Sequence, residues 1–270
     1  MARQLVQATL PHKNPGDIPA WTRRNGTLVL TVQPGFDGKR GKSYGCPYGT
    51  IPRLLLFWMT TEASRTKSRR LELGRSLAAF MTGLGLDSTR GGPRSDARRL
   101  HEQMQRLFQA RISLQTTLAD DGRTGEARRN MSVVEDSMLW WDDKSPQQTT
   151  LWGNWIELGE RFYNAIIATP VPMDIRALKS LKRSPLALDL YAWLTFEAWR
   201  AHTAEQSRFV NWEQLHAQFG GDYAEVRNFR LKVKAAITKI RQVYPGLLLG
   251  DEQGGIKILP SSRPAIPSSF

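Results

Sequence analysis

The amino-acid sequence predicts a mainly α-helical fold with β-hairpin wings, arranged as two tandem winged-helix domains. Two segments, LLLFWMTTEA at 54–63 and DLYAWLTFEA at 189–198, are similar to each other. Each precedes a strand-like segment and a short helix, at 69–81 and 207–219, and then a glycine break, a long basic helix and a hairpin. That element order is the order of a winged helix. Apolar helices also resemble one another by composition, so chance similarity is the alternative interpretation.

The first domain is predicted at residues 26–150, after a flexible arm at residues 1–25 that is polar and contains several prolines. Period-2 alternation indicates its strands, and a 3.6-residue apolar period with a capping residue such as Ser95 indicates its helices. Its predicted elements are, in order, a strand at Thr27–Gln33, a Gly- and Lys-rich loop, a helix at Arg53–Ala63, a strand at Arg69–Leu73, helices at Arg75–Thr82 and from Asp96 to about Ala110, and a hairpin of Arg111–Leu118 and Met131–Trp141 around the polar turn DDGRTGEARR.

The second domain is predicted at residues 151–260, and the tail at 261–270 is expected to be disordered because it is rich in Pro and Ser. Caps and breakers again mark the elements. They are, in order, a strand at Trp155–Leu158, a boundary at Pro170 and Pro172, a helix capped by Asp174, a helix at Leu186–His202 opened by Ser184-Pro185, a helix at Trp212–Phe219 capped by Asn211, a helix from Asp222 to about Tyr244, and a hairpin of LLLG and GGIKIL.

The charge balance points to a polyanionic partner. The chain carries 38 Lys and Arg against 25 Asp and Glu, a net charge of +13. A field of this sign favours DNA, RNA or an anionic membrane. The alternative is a basic protein whose charge has no binding role.

Cysteine content and hydropathy predict a soluble, cytoplasmic protein. Cys46 is the single cysteine, which excludes a disulfide framework and a Cys-based zinc site. The N-terminus lacks the apolar core of a signal peptide. The longest apolar run, Leu54–Met59, is far shorter than the roughly 20 residues of a membrane span.

The segment EVRNFRLKVKAAITKIRQ, residues 225–242, is the strongest candidate for contact with a nucleic acid. At 100° per residue, one third of the circle holds a set of apolar side chains that forms the core face: Val226, Phe229, Val233, Ala236, Ile237 and Ile240. Polar and basic side chains line the two flanks of this face. The candidate DNA-binding residues on this helix are Arg227, Asn228, Arg230, Lys232, Lys234, Thr238, Lys239 and Arg241.

A membrane surface and bulk solvent are the alternative surroundings for this helix. A membrane-surface helix would place Trp, Phe and Leu on its apolar face, whereas this face is β-branched and small. A solvated helix would include acids four residues from its lysines, because i,i+4 pairs of opposite charge stabilise it. No acid lies between Arg227 and Arg241, so the pattern favours relief of the repulsion by phosphates.

Further candidate DNA contacts lie outside this helix. Arg and Gln side chains can bind guanine and adenine edges, and Lys and Arg contact phosphates, although the same residues also occur on any solvated surface. On the earlier amphipathic helix the candidates are Ser95, Arg98, Arg99, Gln105 and Arg106. Elsewhere they are Arg65, Lys67, Arg69 and Arg70, the hairpin residues Arg123, Arg128 and Arg129, and Lys179, Lys182 and Arg183.

Enzyme motifs are incomplete, so no catalytic residue, metal or cofactor is predicted. In GFDGKRGKS, five residues separate Gly35 from Gly41 where a phosphate-binding loop requires four. His101-Glu102 starts an HExxH pattern that ends in Gln105. The acids Glu135, Asp136, Asp142 and Asp143 beside Trp140-Trp141 could form a carboxylate metal site, but an exposed hairpin rim is the favoured interpretation.

Two blocks of the sequence resemble RepA/TrfA-type plasmid replication initiators. PYGTIPRLLLFWMTTEASRTKSRRLELGRSLAAFMTGLGL at 47–86 and RLHEQMQRLF at 99–108 are similar to their N-terminal part. SPLALDLYAWLTFEAWRA, NWEQLHAQFGGDY and the basic helix, within 184–241, resemble their C-terminal domain. The resemblance spans roughly residues 44–260, and the order and spacing of the blocks make it specific.

The resemblance implies a protein that binds direct repeats (iterons) in double-stranded DNA at a plasmid origin and helps to melt an adjacent AT-rich region. It implies recruitment of host DnaA and the DnaB helicase, and a homodimer through the first winged-helix domain that represses or inhibits. The helix at 222–244 would be the main base-reading element, and 95–110 would contact the second half of the site. The short arm implies that the helicase-recruiting extension of some members is missing.

Two other functions remain open from the sequence. One is a winged-helix transcription repressor that binds DNA without opening an origin. The other is an enzyme, a nickase or a primase. Strand opening beside the repeats distinguishes an initiator from a repressor, and a nick or a primer would reveal an enzyme.

Overall fold

The computed structural model describes residues 6, 9–92, 94–120, 123–140, 153–168, 171, 173–250, 252–263 and 265. Helices account for 42% and strands for 23%, and the strands form four antiparallel sheets. The fold is therefore mixed α/β, and the mainly α-helical class predicted from the sequence is wrong. Several strands pair with partners far away in the chain, which local periodicity does not reveal. The winged-helix assignment is not confirmed by this architecture.

Eight helices lie in the described ranges. They are α1 (Thr50–Thr66), α2 (Leu77–Gly83), α3 (Asp96–Phe108), α4 (Glu160–Ala168), α5 (Ile175–Leu181), α6 (Pro185–Thr203), α7 (Trp212–Phe219) and α8 (Val226–Val243). Twelve strands accompany them. They are β1 (Trp21–Asn25), β2 (Leu28–Gln33), β3 (Phe36–Asp37), β4 (Lys42–Ser43), β5 (Arg70–Glu72), β6 (Arg111–Asp120), β7 (Arg123–Ser132), β8 (Val134–Met138), β9 (Trp155–Leu158), β10 (Arg208–Asn211), β11 (Leu249–Gly250) and β12 (Gly255–Ile258).

Two apolar helices, α1 and α6, form the centre of the molecule. Both are apolar around most of their circumference, which is typical of a helix enclosed by other elements. Leu55 and Met59 of α1 and Leu190 and Leu194 of α6 are fully buried, and the two helices pack against each other. Pro52 lies in the first turn of α1, where a missing N–H costs no helical hydrogen bond.

The largest sheet has the order β1-β2-β6-β7. Its β6–β7 hairpin continues to the pair Asp120 and Arg123, so most of the polar segment predicted as a turn is strand. The residues of β7 from Arg123 to Asn130 are exposed on both faces. They therefore show no alternation of apolar and polar side chains, which is why the sequence pattern indicated a turn.

The N-terminal segment is packed rather than flexible over its described residues. Trp21–Asn25 forms β1 along β2, with Trp21 opposite Val32, and β1 also contacts α7. Leu10 is buried, and the ring of His12 contacts Asp189. The described residues of the predicted arm at 1–25 are thus a structural part of the fold. Its proline-rich composition concealed this because the stabilising contacts come from distant residues.

A second sheet has the order β5-β9-β8. Leu71 of β5 and Ser137 of β8 both lie opposite Ile156 of β9. The bounds of β9 match the strand predicted at 155–158, but its partners precede residue 151. This sheet therefore crosses the predicted domain boundary between residues 150 and 151.

The C-terminal part combines α7, α8 and the small sheet β10-β12-β11. Asn211 caps α7 with a capping box, as its position before the helix predicted. Asp222 does not cap the next helix: α8 begins at Val226 with Glu225 at the cap position. The carboxylate of Asp222 instead accepts a hydrogen bond from the backbone N–H of His12, at 3.2 Å.

The start of the tail predicted to be disordered is packed. Ser262 is buried, and its hydroxyl bonds the backbone of Leu248. The hydroxyl of Tyr244 donates to the carbonyl oxygen of Arg263 at 2.7 Å. Burial raises the pKa of Tyr244 well above its ordinary value. Residues 264 and 266–270 of that predicted tail lie outside the described residues.

Candidate nucleic-acid interface

Helix α8 has one face in the core and a wide face outside it. Phe229, Val233, Ala236 and Ile240 are buried, and the helix packs against α5, α6 and α7. These four side chains recur at spacings of three and four residues, so they share one side of the helix. The core face predicted from the sequence is confirmed at these positions.

The outer face of α8 is a cluster of cations that have no carboxylate partner among the described residues. Arg230 is half-buried, with its guanidinium carbon 5.3 Å from the centre of the Trp212 ring. In the described part of the chain, none of the cations of α8 forms an ion pair, whereas sixteen pairs are present elsewhere. The exposed members are Arg227, Lys232, Lys234, Lys239 and Arg241.

The two uncharged candidates on α8 bond within their own helix. The amide of Asn228 donates to Glu225 Oε2 at 3.3 Å, and the hydroxyl of Thr238 donates to the carbonyl oxygen of Lys234 at 3.1 Å. Both side chains are exposed. The hydrogen bond from Asn228 to Glu225 is long and exposed to solvent, so the amide of Asn228 can exchange Glu225 for another acceptor.

A concave surface adjoins α8 and brings in a lysine that the sequence reasoning missed. The cavity, of about 310 Å³, is lined by Lys13 together with Lys232 and Lys239 of α8 and by Ser184 and Pro185 at the start of α6. Lys13 lies in the segment that was expected to be flexible, and no local pattern links it to α8. The packing of the N-terminal segment places it there.

The candidates on α3 differ from those on α8 because most of them already have partners. Arg99 pairs with Asp96 at 3.1 Å. Ser95 is buried, and its hydroxyl accepts the N–H of Arg98 as the helix cap. Gln105 bonds His101. The side chain of Arg98 is exposed and, within the described residues, has no ion pair.

Arg106 holds the fold together instead of facing a ligand. Its guanidinium pairs with Glu102 at 2.7 Å and donates to the carbonyl oxygen of Cys46 at 3.2 Å. It also lies 5.1 Å from the centre of the Tyr48 ring, and its side chain is 15% exposed. These contacts join α3 to the loop before α1.

The remaining candidates for phosphate contact fall into two groups, those that already have a partner in the fold and those that do not have one in the described ranges. Ion pairs occupy four of them: Arg65 with Glu62, Arg69 with Glu135 and Glu157, Arg70 with Glu72, and Arg128 with Glu126. Lys182 donates to the carbonyl oxygen of Gly85, and the chain of Lys179 lies against the same glycine. Exposed and without an ion pair in the described ranges are Lys67, Arg123, Arg129 and Arg183.

In the described ranges, no group of three His, Cys, Asp or Glu side chains is placed to hold a metal ion. Glu135, of the acidic rim considered above, pairs with Arg69; Asp142 and Asp143 lie outside the described residues. No helix in the described ranges is both long and apolar enough to cross a membrane.

A model of the plasmid encoded RepA protein family matches residues 46–214, more than half of the chain. The chain belongs to the plasmid-encoded RepA protein family. The resemblance proposed from the sequence is confirmed at the level of this family of plasmid replication proteins. The match ends inside α7, so α8 lies beyond it. The assignment of a role to α8 in this RepA-family chain therefore rests on its own geometry.

A solved structure shares the fold of this RepA-family chain. The crystal structure of domains 2 and 3 of RctB matches with a TM-score of 0.55, covering 94% of each chain at 12% sequence identity. Identity this low makes the likeness one of fold. A search of curated proteins finds no match.

Proposed function

We propose that this protein is a plasmid DNA replication initiator that binds direct repeats (iterons) in double-stranded DNA at its origin, with α8 as the main base-reading element. The observation that carries the proposal is that the cations of α8 have no carboxylate partner among the described residues. Like charges this close repel one another, and acids on the same helix relieve such repulsion, as Asp96 and Glu102 do for Arg99 and Arg106 on α3. DNA phosphates would supply the missing counter-charge.

Supporting contacts would come from cations that form no ion pair within the described ranges. Lys13 extends the basic surface of α8 across the adjoining cavity. Arg98 on α3 is the exposed cation through which that helix would contact the second part of the site. Arg123 and Arg129 of the β6–β7 hairpin are further phosphate contacts. Contacts of this kind position the protein, while base contacts from Arg227 and Asn228 would specify the sequence.

The remaining parts of the proposal are those that the resemblance to these initiators implies. The protein would open the AT-rich region beside its repeats in the cytoplasm and recruit host DnaA and the DnaB helicase. It would repress its own expression as a homodimer through the first half of the chain. No catalytic step is included, so the purified protein should produce neither a nick nor a primer.

The experiment combines binding with strand opening. Duplexes selected from a random pool by the full chain give the binding site, and the DNA flanking the gene is searched for direct repeats of it. Permanganate then reports unpaired thymines on a supercoiled plasmid that carries these repeats. An initiator makes thymines beside the repeats reactive. Binding without reactivity identifies a transcription repressor, and failure to select any sequence refutes the proposal.

A variant tests the assignment of α8. Arg227→Ala should relax base preference at one position of the selected site, with a loss of about 1–3 kcal/mol of discrimination. Arg65→Ala is the matched control, because Arg65 is exposed but paired with Glu62. If Arg227→Ala bound the repeats with unchanged affinity and base preference, α8 would not be the base-reading helix.

A further inference from the structure

An exposed leucine lies in the middle of the basic face of α8. Leu231 is 61% exposed, although the other large apolar side chains of the helix are buried or half-buried. A single apolar side chain at a surface is ordinary. The surroundings of Leu231 require an explanation, because it lies among cations that form no ion pair with any described residue, on a helix that otherwise covers its large apolar side chains.

The outer face of α8 has Leu231 at its centre and cations on both flanks. At 3.6 residues per turn, Thr238 and Gln242 lie about 20° from Leu231 around the helix axis, and Ala235 and Arg227 lie about 40° from it. Lys234 and Arg230 follow at about 60° and 100° on the side of Arg227, and Lys239 and Lys232 at about 80° and 100° on the other side. Thr238 and Ala235 are exposed, as Leu231 is. The apolar groups of these three side chains therefore lie along the centre of the face, with Arg227 beside them one turn before Leu231.

This arrangement matches the cross-section of a DNA major groove. The groove admits one α-helix, with base edges at its floor and a phosphate backbone on each side. A helix seated there turns its outermost side chains to the bases and its flanks to the phosphates. A membrane or an apolar protein surface would require a continuous apolar face, which one leucine between two basic flanks does not provide.

An apolar side chain that contacts the base edges in the major groove favours one base, thymine. Thymine carries a C5-methyl group in the major groove, and apolar side chains contact it there, while the other bases present hydrogen-bonding groups. Leu231 has no donor or acceptor, so it can favour a base only through such apolar contact.

We propose that Leu231 is a specificity-determining residue that contacts the C5-methyl group of a thymine at the middle of the segment bound by α8. Thr238 and Ala235 flank that contact. The inference rests on the proposed function, because it requires α8 to lie in the major groove of a duplex. It adds the base that the centre of the helix selects.

The test is a double-mutant cycle that combines a change in the protein with a change in the DNA. Each thymine of the selected site is replaced in turn by deoxyuridine, which removes only the methyl group, and dissociation constants are measured for the full chain. The wild-type protein should lose about fourfold in affinity at one or two thymines, the factor that corresponds to burying one methyl-sized group. Leu231→Ala should bind the thymine site about fourfold or more weakly and should no longer distinguish thymine from deoxyuridine at those positions.

Leu118→Ala is the matched control, because Leu118 is an exposed leucine on β6, outside α8. It should retain the wild-type sensitivity to deoxyuridine. Since Leu231 is exposed, its variant should keep the wild-type unfolding midpoint, which is checked by circular dichroism.

Three results would overturn the inference while leaving the proposed function intact. They are a selected site that binds tightly but responds to no thymine-to-deoxyuridine change, a Leu231→Ala protein that keeps the full response, and a Leu231→Ala protein that changes only its oligomeric state by light scattering. Failure of the wild-type chain to select any duplex would instead refute the proposed function.

Discussion

Arg53 and Asp189 form a buried bidentate ion pair that joins the two central helices α1 and α6. Arg53 Nε lies 2.7 Å from Asp189 Oδ1, and Arg53 Nη2 lies 2.8 Å from Oδ2. Both side chains are 2% exposed. The other N–H groups of the guanidinium donate to the carbonyl oxygens of Leu10, Pro11 and Gly49. The N-terminal segment is therefore held by the same arginine that links the helices.

Removing one partner of this ion pair should strongly destabilise the fold. Asp189→Asn leaves the charge of Arg53 uncompensated in the core, and Arg53→Met leaves the Asp189 carboxylate and three backbone carbonyl oxygens without their donor. Either change costs about 3–5 kcal/mol of the free energy of unfolding. Urea denaturation of the full chain measures it. Arg176→Met is the matched control, since Arg176 is exposed and paired with Asp174, and its midpoint should not change. A loss below about 1 kcal/mol for Asp189→Asn would show that water or a neighbour compensates the arginine.

The same ion pair should make the free energy of unfolding depend on pH in the acid range. Burial disfavours the ionised carboxyl of Asp189, but the charge of Arg53 and the hydrogen bonds from His12 and Arg53 outweigh it and hold its pKa below the ordinary value. A carboxyl with a lowered folded pKa contributes stability that is complete above its unfolded pKa, about 3.9, and is lost as the pH falls through the folded pKa.

We therefore expect the free energy of unfolding of the wild-type protein to fall below about pH 4 more steeply than that of Asp189→Asn. Urea midpoints measured between pH 7 and the acid limit of the native state give the two slopes. The comparison with the variant isolates Asp189 from the other carboxylates, such as Asp174 and Asp87, whose pKa values hydrogen bonds also lower. If the free energies of unfolding of the two proteins fell in parallel with pH, Asp189 would not be the source of the acid dependence.

The flanks of α8 should determine the salt dependence of DNA binding. Each phosphate contact contributes about 0.9 to the slope of log affinity against log salt, so Lys232→Gln with Lys239→Gln should lower the slope by about 1.8 on specific and random duplexes alike. Fluorescence anisotropy in a salt series measures it. Replacing the ion-paired Arg65 and Arg128 by Gln serves as the control. If the α8 variant and the wild type had the same slope of log affinity against log salt, Lys232 and Lys239 would not be phosphate contacts.

Two arginines on α3 should behave in opposite ways. Arg98→Ala should weaken DNA binding and leave the unfolding midpoint unchanged, because its side chain is exposed and unpaired in the described ranges. Arg106→Ala should lower the unfolding midpoint, because it removes the contacts with Glu102, Cys46 and Tyr48. Denaturation and DNA binding measured on both proteins separate the two roles. A midpoint that stayed constant in Arg106→Ala would show that these contacts are dispensable.

Elements with strong local signals could be predicted from the sequence. Helix α7 has the predicted bounds because Asn211 caps it and Gly220 ends it, and β9 is a short apolar run between breakers. Strand β1 was missed because it depends on pairing with β2, and the extent of β7 was missed because its side chains are exposed on both faces. Helix α4, at Glu160–Ala168, was also missed.

The Lys and Arg residues of the candidate interface could be identified from the sequence, but most of the acids that pair with them could not. The pair of Arg106 with Glu102 follows a four-residue helical spacing that the sequence contains. The pair of Arg69 with Glu135 joins residues far apart in the chain, and only the β5-β9-β8 sheet brings them together. Leu231 was absent from the predicted site because it carries no charge or hydrogen-bonding group that would mark it as a DNA contact, and it was absent from the predicted core face as well.

The β5-β9-β8 sheet also bears on how the molecule can be divided. A fragment that ended at residue 150 would contain β5 and β8 without the strand that lies between them. The complementary fragment would carry β9 with both of its edges open. Unpaired edges of this kind are templates for pairing with other chains. The two halves of the sequence are thus not interchangeable modules, and shuffling them at residue 150 would separate a strand from the sheet that it completes.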